Sequence, residues 1–192
     1  MAYALLQNTY ITPEEYVEGE ELAVEKSEYI QGEVYAMAGA SDRHVKVSGN
    51  AYTMIKMHLR GSGCSTYIAD MKVRIAEDDA FFYPDVMVTC DPADQSAERD
   101  YAKHHPKLIV EVLSASTENK DRGSKFISYR KLASLEEYLL IDPRVYYVEL
   151  FRRQNGDEWV LMTRSGADAM LTLNSIGLDC RLADFYDDVR FD

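Results

Sequence analysis

Short apolar runs alternate with polar, turn-rich segments along this chain, a pattern typical of a mixed α/β protein. Residues 107–114 (KLIVEVLS) are apolar at successive positions and predict a strand covered on both faces. Residues 81–89 (FFYPDVMVT) form a second apolar run, in which Pro84 fits a strand start and not a strand centre. Residues 71–75 alternate cleanly and predict a strand with one face in water.

Helices are predicted where apolar residues recur at helical spacing. A short helix over 13–20 has Thr12 as its N-cap, and a long helix runs over about 43–60 before a pair of glycines. Residues 117–133 (TENKDRGSKFISYRKLA) predict a third helix with Thr117 as its N-cap. Acidic residues in the first turn of this third helix and basic ones in its last turn agree with the helix dipole.

The remaining patterns complete the predicted fold. Residues 28–38 read as a hairpin, 91–106 as a polar surface loop, and the segments 138–142, 146–151 and 159–163 as a meander that extends the sheet. The fold class expected is α/β (α+β), with a mixed central sheet flanked by helices and with additional antiparallel strands. We expect a single domain over 1–192, with its core at about 28–143 and the C-terminal β-meander at about 144–192.

Two carboxylates interrupt the apolar strands. Glu111 lies inside 107–114, where an ionised side chain is costly unless it meets a cation, a metal or strong hydrogen bonds. Asp85 opens the apolar part of 81–89, and two neighbouring strands would let both acids converge on one divalent ion. A structural ion pair for Glu111 and a turn role for Asp85 are the alternatives.

A lysine follows on the third predicted helix. Lys125 lies at the rim of the apolar stripe, so its stem can follow packed side chains and deliver the ammonium to the sheet edge near Glu111. The alternative is an exposed pair with Asp121, one helical turn earlier, which contributes little to stability.

Three segments carry a resemblance to a known family: GEVYAMAGASDRH (32–44), YPDVMVTCD (83–91) and PKLIVEVLSASTENKDRGSKFISYRKLASLEEYLLIDP (106–143). Together they resemble the PD-(D/E)XK nuclease superfamily, and more closely the Uma-type restriction endonucleases, a bacterial family with a domain of unknown function. The resemblance implies a restriction-endonuclease-like core. It also implies that Asp85 and Glu111 are the metal-binding acids.

The chain departs from the superfamily pattern at the lysine. The superfamily usually places this lysine two residues after the second acid, and Leu113 stands there in this sequence. Members of the family replace it from the following helix, which implies Lys125 here, with Lys120 as the second choice.

Three further residues are candidates for the same site. The resemblance implies that Glu33 adds a metal ligand or holds a metal-bound water, although a hairpin residue beside a turn is usually exposed. His44 follows a predicted helix start and faces the same cleft in this interpretation, against the alternative of a surface residue. Asp121 would position Lys125 from outside the metal shell.

The resemblance implies a metal-dependent endonuclease that hydrolyses DNA phosphodiester bonds, with Mg²⁺ as cofactor and Mn²⁺ as a possible substitute. Asp85, Glu111, Lys125 and Glu33 form the expected catalytic set. Two alternatives keep the same fold: a catalytically inactive binding module, and a phosphodiesterase acting on small nucleotides.

Charge opposes the nuclease interpretation. The net charge is −12 and the sequence pI is about 4.8, the reverse of the basic footprint of nucleic-acid binders. The distribution of charge along the chain weakens this objection. Residues 101–131 hold seven Lys and Arg against three acids, and residues 41–63 hold four against one. These segments coincide with the expected site and could steer DNA locally.

The remaining composition bounds compartment and assembly. Three scattered cysteines form no zinc-type spacing, which argues against structural zinc and a disulfide framework and implies a reducing interior. There is no apolar run of membrane-spanning length and no signal-peptide pattern at the start, so we expect a cytoplasmic protein without membrane contact. Fourteen tyrosines would suit a homodimer interface.

Overall fold

The computed structural model describes residues 10–97 and 101–191. The helices are α1 (Pro13–Leu22), α2 (Asp42–His58), α3 (Glu118–Arg122) and α4 (Ser124–Tyr129). The strands are β1 (Ser27–Ile30), β2 (Glu33–Ala36), β3 (Ser65–Ile68), β4 (Lys72–Ile75), β5 (Ala80–Phe82), β6 (Val86–Thr89), β7 (Ala102–Lys103), β8 (Pro106–Val112), β9 (Glu137–Asp142), β10 (Tyr147–Arg153), β11 (Trp159–Ser165), β12 (Met170–Leu173) and β13 (Leu178–Arg181).

The strands form a six-stranded sheet, a five-stranded sheet and a separate hairpin. The six-stranded sheet has the order β11-β10-β9-β8-β6-β3, and only its β8–β9 pair is parallel. The five-stranded sheet has the order β2-β1-β5-β4-β7, with β4 and β7 parallel, while β12 pairs with β13. The mixed α/β class with additional antiparallel strands is therefore confirmed, and β9, β10 and β11 extend the sheet as the predicted meander.

The run 81–89 contains parts of two strands, and the second begins just after Pro84, which was expected at a strand start. Phe82 ends β5 in the five-stranded sheet, and Val86 begins β6 in the six-stranded sheet. Pro84 has no N–H to donate to a ladder, so the chain leaves one sheet there and enters the other. Asp85 consequently lies at the crossing between the two sheets.

Strand β8 separates the two main clusters of buried side chains. Leu108, Val110 and Val112 face the cluster that contains α2 and the β12–β13 hairpin. Ile109 and Leu113 face the opposite cluster, which contains α4. Because side chains alternate along a strand, Glu111 lies on the α4 face together with its odd-numbered neighbours.

Helices α1 and α2 match their predictions. Thr12 caps α1 in a reciprocal capping box with Glu15, and Ser41 caps α2. Val47 and Ile55 lie on the buried side of α2, at positions that differ by about two turns.

The prediction of a single helix over 117–133 is wrong. Gly123 has φ −111° and ψ −106°, and it divides this segment into α3 and α4. A side chain at Gly123 would place its Cβ 2.9 Å from the carbonyl oxygen of Asn119. Thr117 makes no side-chain capping bond; its hydroxyl donates to an Asp121 carboxylate oxygen at 2.7 Å instead.

The predicted hairpin is formed by β1 and β2, which turn at Gln31 (φ 50°) and Gly32 (φ 87°). Asp79 stabilises the turn end of this hairpin. Its carboxylate accepts hydrogen bonds from Tyr29 (2.9 Å), Arg74 (3.0 Å) and Tyr10. Burial raises the pKa of Asp79, but these donors outweigh burial and leave the pKa below its ordinary value.

The segment 91–106 was predicted to be a surface loop, and this is wrong for part of it. Asp94 is fully buried and accepts hydrogen bonds from the Thr89 hydroxyl and from the backbone N–H groups of His104 and His105. Lys103 is also buried, in β7, and donates to the Asp94 carbonyl. The buried Asp94 carboxylate therefore stabilises the loop through hydrogen bonds.

The expectation of cysteines without a disulfide is also wrong. Cys64 and Cys90 form a disulfide, and they flank the paired residues Ser65 and Thr89 of β3 and β6. Strand register brings the two sulfurs together, and sequence spacing alone does not reveal it. Cys180 is buried as a free thiol.

The described part of the chain includes no helix that is both long enough and apolar enough to cross a membrane.

Candidate active site

Strand register brings the two predicted acids together. β6 and β8 are antiparallel with Val86 opposite Val110, so the preceding Asp85 is opposite the following Glu111. The backbone N–H of Asp85 lies 3.4 Å from Glu111 Oε2. Glu111 lies on the side of the sheet that α4 covers, and Asp85 lies beside it, immediately before β6 begins.

Asp85 is held by a second set of hydrogen bonds. Its Oδ2 accepts from the backbone N–H of Val112 at 2.7 Å, and its Oδ1 is 2.8 Å from His44 Nε2. The Asp85 carbonyl accepts from Ala69 N–H at 3.0 Å. The first acid is therefore oriented by β8, by the N-terminal turn of α2 and by the segment after β3.

Lys125 lies among carboxylates at the inner face of α4. Its Nζ is 2.8 Å from Glu111 Oε1, 3.0 Å from Glu28 Oε1 and 3.9 Å from Asp121 Oδ1. The Lys125 side chain is only 7% exposed, so these are buried ion pairs and not surface contacts. Leu113, at the usual position of the superfamily lysine, is packed in the apolar cluster instead.

Glu28 was not among the predicted site residues. It lies on β1 and bridges two lysines, with Lys125 at 3.0 Å and Lys120 at 2.6 Å. In the sequence, Glu28 is an acidic residue at the start of a predicted hairpin, and nothing there distinguishes it from the other acidic residues between positions 14 and 33. The distinguishing signal is its burial, which depends on contacts with residues more than 90 positions away.

Two buried groups complete the surroundings of Lys125. The Tyr129 hydroxyl donates to Glu111 Oε1 at 3.0 Å, and the Phe82 ring lies 5.5 Å from Lys125 Nζ. Burial raises the pKa of Tyr129 well above its ordinary value, as does the charge of Glu111, so the phenol stays a neutral donor. Glu111 therefore receives hydrogen bonds from two donors of α4.

Burial and the surrounding charges shift the pKa values of the side chains in this cluster. Burial raises the pKa of Glu111 to about 8, assisted by Asp121 and Asp85 and opposed by Lys125. Burial also raises the pKa of Asp121, against the opposing charge of Lys125. Burial lowers the pKa of Lys125, but the charges of Glu111, Glu28 and Asp121 outweigh it, so the pKa is raised and the ammonium is retained.

The pKa of Glu28 is shifted in the opposite direction from the pKa values of Glu111 and Asp121. Burial raises its pKa, but the charge of Lys125 and the hydrogen bond and charge of Lys120 outweigh burial and leave the pKa below its ordinary value. Lys120 was the second choice for the catalytic lysine. Its side chain is 33% exposed and it contacts Glu28 instead of Glu111, so the geometry favours Lys125 for that position.

His44 contacts the site through Asp85. Burial lowers its pKa, but the hydrogen bond and the charge of Asp85 outweigh burial and raise it above the ordinary value. Its Nδ1 is buried without a hydrogen-bond partner in the described structure. The structure thus places His44 beside Asp85.

Glu33 is the predicted site residue that the structure places apart from the buried cluster. It is exposed on edge strand β2, where it accepts a hydrogen bond from the Tyr35 hydroxyl. Tyr35 is opposite Glu28 in the β1–β2 ladder and lies 5.7 Å from Lys120 Nζ. Glu33 is thus linked to Lys120 through the exposed Tyr35 side chain.

Most basic residues of the segment 101–131, which was expected to attract DNA, are paired with acids. Lys120 and Lys125 contact the buried carboxylates, and Arg122 contacts Glu149 at 2.9 Å and Glu118 at 3.3 Å. These contacts neutralise much of the positive charge around the site.

The donor set fits a hard divalent cation. Asp85 and Glu111 supply adjacent carboxylate oxygens, and Glu28 and Asp121 bring the acids around two lysines to four. Among the described residues, no three His, Cys, Asp or Glu side chains are placed to hold a metal by themselves. Asp85 and Glu111 are the residues that could hold such a cation, since magnesium can bind through one or two carboxylates and keep water or phosphate oxygens at its other positions.

Comparison with known proteins identifies a family and two relatives. The family model Uma2, described as "Putative restriction endonuclease", matches residues 13–183. The uncharacterized Synechocystis sp. protein slr1290 is 36% identical over 181 residues, covering 94% of both chains. The uncharacterized protein sll1609 of the same organism is 38% identical over 159 residues, covering 83% of this chain and 90% of the relative.

A solved structure supports the fold. The crystal structure of "a putative nuclease belonging to DUF820" from Anabaena variabilis matches with a TM-score of 0.70 at 16% identity. The match covers 89% of this chain and 97% of that one. The family match over most of the chain, together with relatives above 30% identity, shows that this chain belongs to the Uma2 family, which is described as "Putative restriction endonuclease".

Proposed function

We propose that this protein is a magnesium-dependent endonuclease that hydrolyses phosphodiester bonds in DNA. The observation that carries the proposal is the convergence of Lys125 on Glu111, at 2.8 Å, directly beside Asp85. A lysine next to two adjacent acids is a combination that suits phosphodiester hydrolysis, because it offers ligands for a cation and a positive group for the developing charge. Family membership supports the same activity.

Asp85 and Glu111 are the residues that would hold the cation. When bound, Mg²⁺ or Mn²⁺ supplies Lewis-acid polarisation of the phosphate. Lys125 orients the attacking water or neutralises charge that develops on the phosphate oxygens. His44 fixes the Asp85 carboxylate through Nε2 at 2.8 Å, and Tyr129 fixes Glu111 through its hydroxyl at 3.0 Å.

Nicking of supercoiled plasmid tests the proposal, with Mg²⁺, Mn²⁺ or EDTA in parallel. Asp85→Asn, Glu111→Gln and Lys125→Met each remove one functional group with little change in size, and we expect each to reduce nicking at least a hundredfold. Lys107→Met is the matched control, because Lys107 pairs with Glu136 at the surface and should retain full activity. Unchanged nicking in all three site variants would refute the assignment.

A phosphodiesterase acting on small nucleotides is the second candidate, and pairing of the basic residues with acids favours it, since such a substrate needs no extended basic groove. Rates on linear dinucleotides and on plasmid, measured with one preparation, separate the two activities. Metal binding by calorimetry without cleavage of either substrate would indicate the inactive binding module.

A further inference from the structure

Within the part of the chain that the structure describes, strand β11 has no neighbour on its outer side and leaves one edge of the six-stranded sheet open. It is seven residues long (Trp159–Ser165, sequence WVLMTRS) and lies outermost in the strand order. Proteins usually blunt such an edge with proline, lysine or a bulge, and β11 has no proline or lysine and pairs with β10 in unbroken register. A regular edge of this kind is a template for another strand.

The hydrogen-bond pattern identifies which backbone groups are available. Gln154 N–H donates to Glu158 C=O at 2.8 Å, and Gly166 N–H donates to Tyr146 C=O at 2.9 Å. Even-numbered residues between 158 and 166 therefore turn their N–H and C=O groups toward β10. Odd-numbered residues of β11 direct theirs outward, toward the open edge.

Apolar side chains accompany these outward backbone groups. Val160 is 44% exposed and Leu161 is 50% exposed, at the middle of the strand. Met170, which is 54% exposed, lines a shallow cavity of about 300 Å³ beside the strand, together with Met162 and Arg164. Exposed apolar residues on an open edge favour a protein partner over water.

We propose that β11 pairs antiparallel with β11 of a second copy, about a two-fold axis that passes through Leu161. The outward N–H and C=O of Leu161 then bond to Leu161 of the partner subunit, and Trp159 is opposite Thr163 of the partner subunit. Val160 is opposite Met162 of the partner subunit. The six-stranded sheets of two copies become one continuous sheet.

Charge complementarity selects this register and this occupant. Glu158 and Arg164 are both exposed, and they lie three positions on either side of Leu161. Each Glu158 is therefore opposite Arg164 of the partner subunit, on the same face as Val160 and Met162. Shifting the axis to Met162 would instead place Arg164 opposite an apolar Val160.

In a single copy, Arg164 occupies one of the outward backbone groups of this edge. Its Nη1 donates to the carbonyl of Thr163 at 2.8 Å, and that carbonyl is one of the outward groups. In the dimer, Trp159 N–H of the partner subunit replaces the guanidinium at this carbonyl, and the guanidinium turns to the opposing glutamate. The interface is small, so we expect a dissociation constant on the order of micromolar.

Sedimentation equilibrium across a concentration series tests the pairing without metal or nucleic acid. Glu158→Arg and Arg164→Glu each place like charges opposite one another twice, and each should weaken dimerisation roughly tenfold or more. An equimolar mixture of the two variants should recover the wild-type affinity, because every opposing pair in the mixed dimer is then complementary. Glu77→Arg, an exposed charge reversal outside β11, is the matched control.

A wild-type protein that remains monomeric at 100 times the expected dissociation constant would overturn the inference. A dimer that is unaffected by both reversals would overturn it as well, because the charge pairs define the register. Circular dichroism establishes that each variant is folded. The readout is independent of catalysis, so failure of the proposed nuclease function would leave it unchanged.

Discussion

Replacing Lys125 by methionine removes a buried charge and keeps a side chain of similar length. In the native protein its ammonium is 2.8 Å from Glu111, 3.0 Å from Glu28 and 3.9 Å from Asp121. We expect the substitution to lower the free energy of unfolding, because three buried carboxylates lose a shared cation.

The magnitude follows from these distances. One ion pair near 3 Å is worth about 5 kcal/mol at an effective dielectric constant of about 20. Protonation limits the loss, since burial already raises the pKa of Glu111 and removal of the lysine raises this pKa further. The net loss for Lys125→Met should be about 3 to 5 kcal/mol at neutral pH, typical of a broken buried pair.

Urea denaturation followed by circular dichroism measures this loss. Lys120→Met is the matched control, because the Lys120 side chain is 33% exposed and its loss should cost at most about 1 kcal/mol. The double variant Lys125→Met with Glu111→Gln removes both partners and should recover about half of the loss. A loss below about 1 kcal/mol in Lys125→Met would refute the reasoning, because the cluster would then be solvated and not buried.

Three further outcomes are expected. Asp79→Asn keeps a residue that tolerates positive φ and should destabilise the protein by about 1 to 3 kcal/mol at pH 7. The folded pKa of Asp79 is depressed, so its contribution is present above the unfolded pKa of about 3.8 and is lost as pH falls through the folded value; thermal unfolding should show the two proteins converging at low pH. Gly123→Ala should destabilise by about 1 to 2 kcal/mol and Gly49→Ala, in the interior of α2 with open space around it, should stabilise by about 1 kcal/mol, both by urea titration. Reducing the Cys64–Cys90 disulfide should cost about 3 kcal/mol, because its sequence separation is 26 residues, and the melting temperature with and without dithiothreitol measures it.

Equal pH profiles for Asp79→Asn and wild type would contradict the assigned ion pair. Gly123→Ala as stable as wild type would show that the break between α3 and α4 relaxes readily. A melting temperature unchanged by dithiothreitol, with reduction verified by thiol titration, would contradict the disulfide prediction.

The acids could be predicted because their signal is local. A charged residue in an otherwise apolar strand is visible in the sequence, and alternation then places Glu111 on one face. Asp85 was recognised for the same reason. The lysine was placed by helical spacing, and that placement survives the break at Gly123, because Lys125 and Tyr129 still lie one turn apart on α4.

Glu28, the second sheet and the disulfide could not be predicted, because each depends on distant contacts. Glu28 meets lysines more than 90 positions later, and Cys64 meets Cys90 only through the β3–β6 register. The continuous apolar run around Pro84 concealed a change of sheet, since both of the resulting strands are buried. Local periodicity reports burial but does not report the neighbour that buries a residue.

Delivery of the lysine from α4 instead of from β8 couples the site to a short helix. α4 has six residues and follows a broken backbone at Gly123, whereas Glu111 belongs to β8, which has a neighbouring strand on both sides. Amide exchange should therefore be faster in α4 than in β8, because short elements open locally at lower free energy. Each local opening withdraws the ammonium while the carboxylates stay in place, so temperature can switch the site between complete and incomplete forms well below global unfolding.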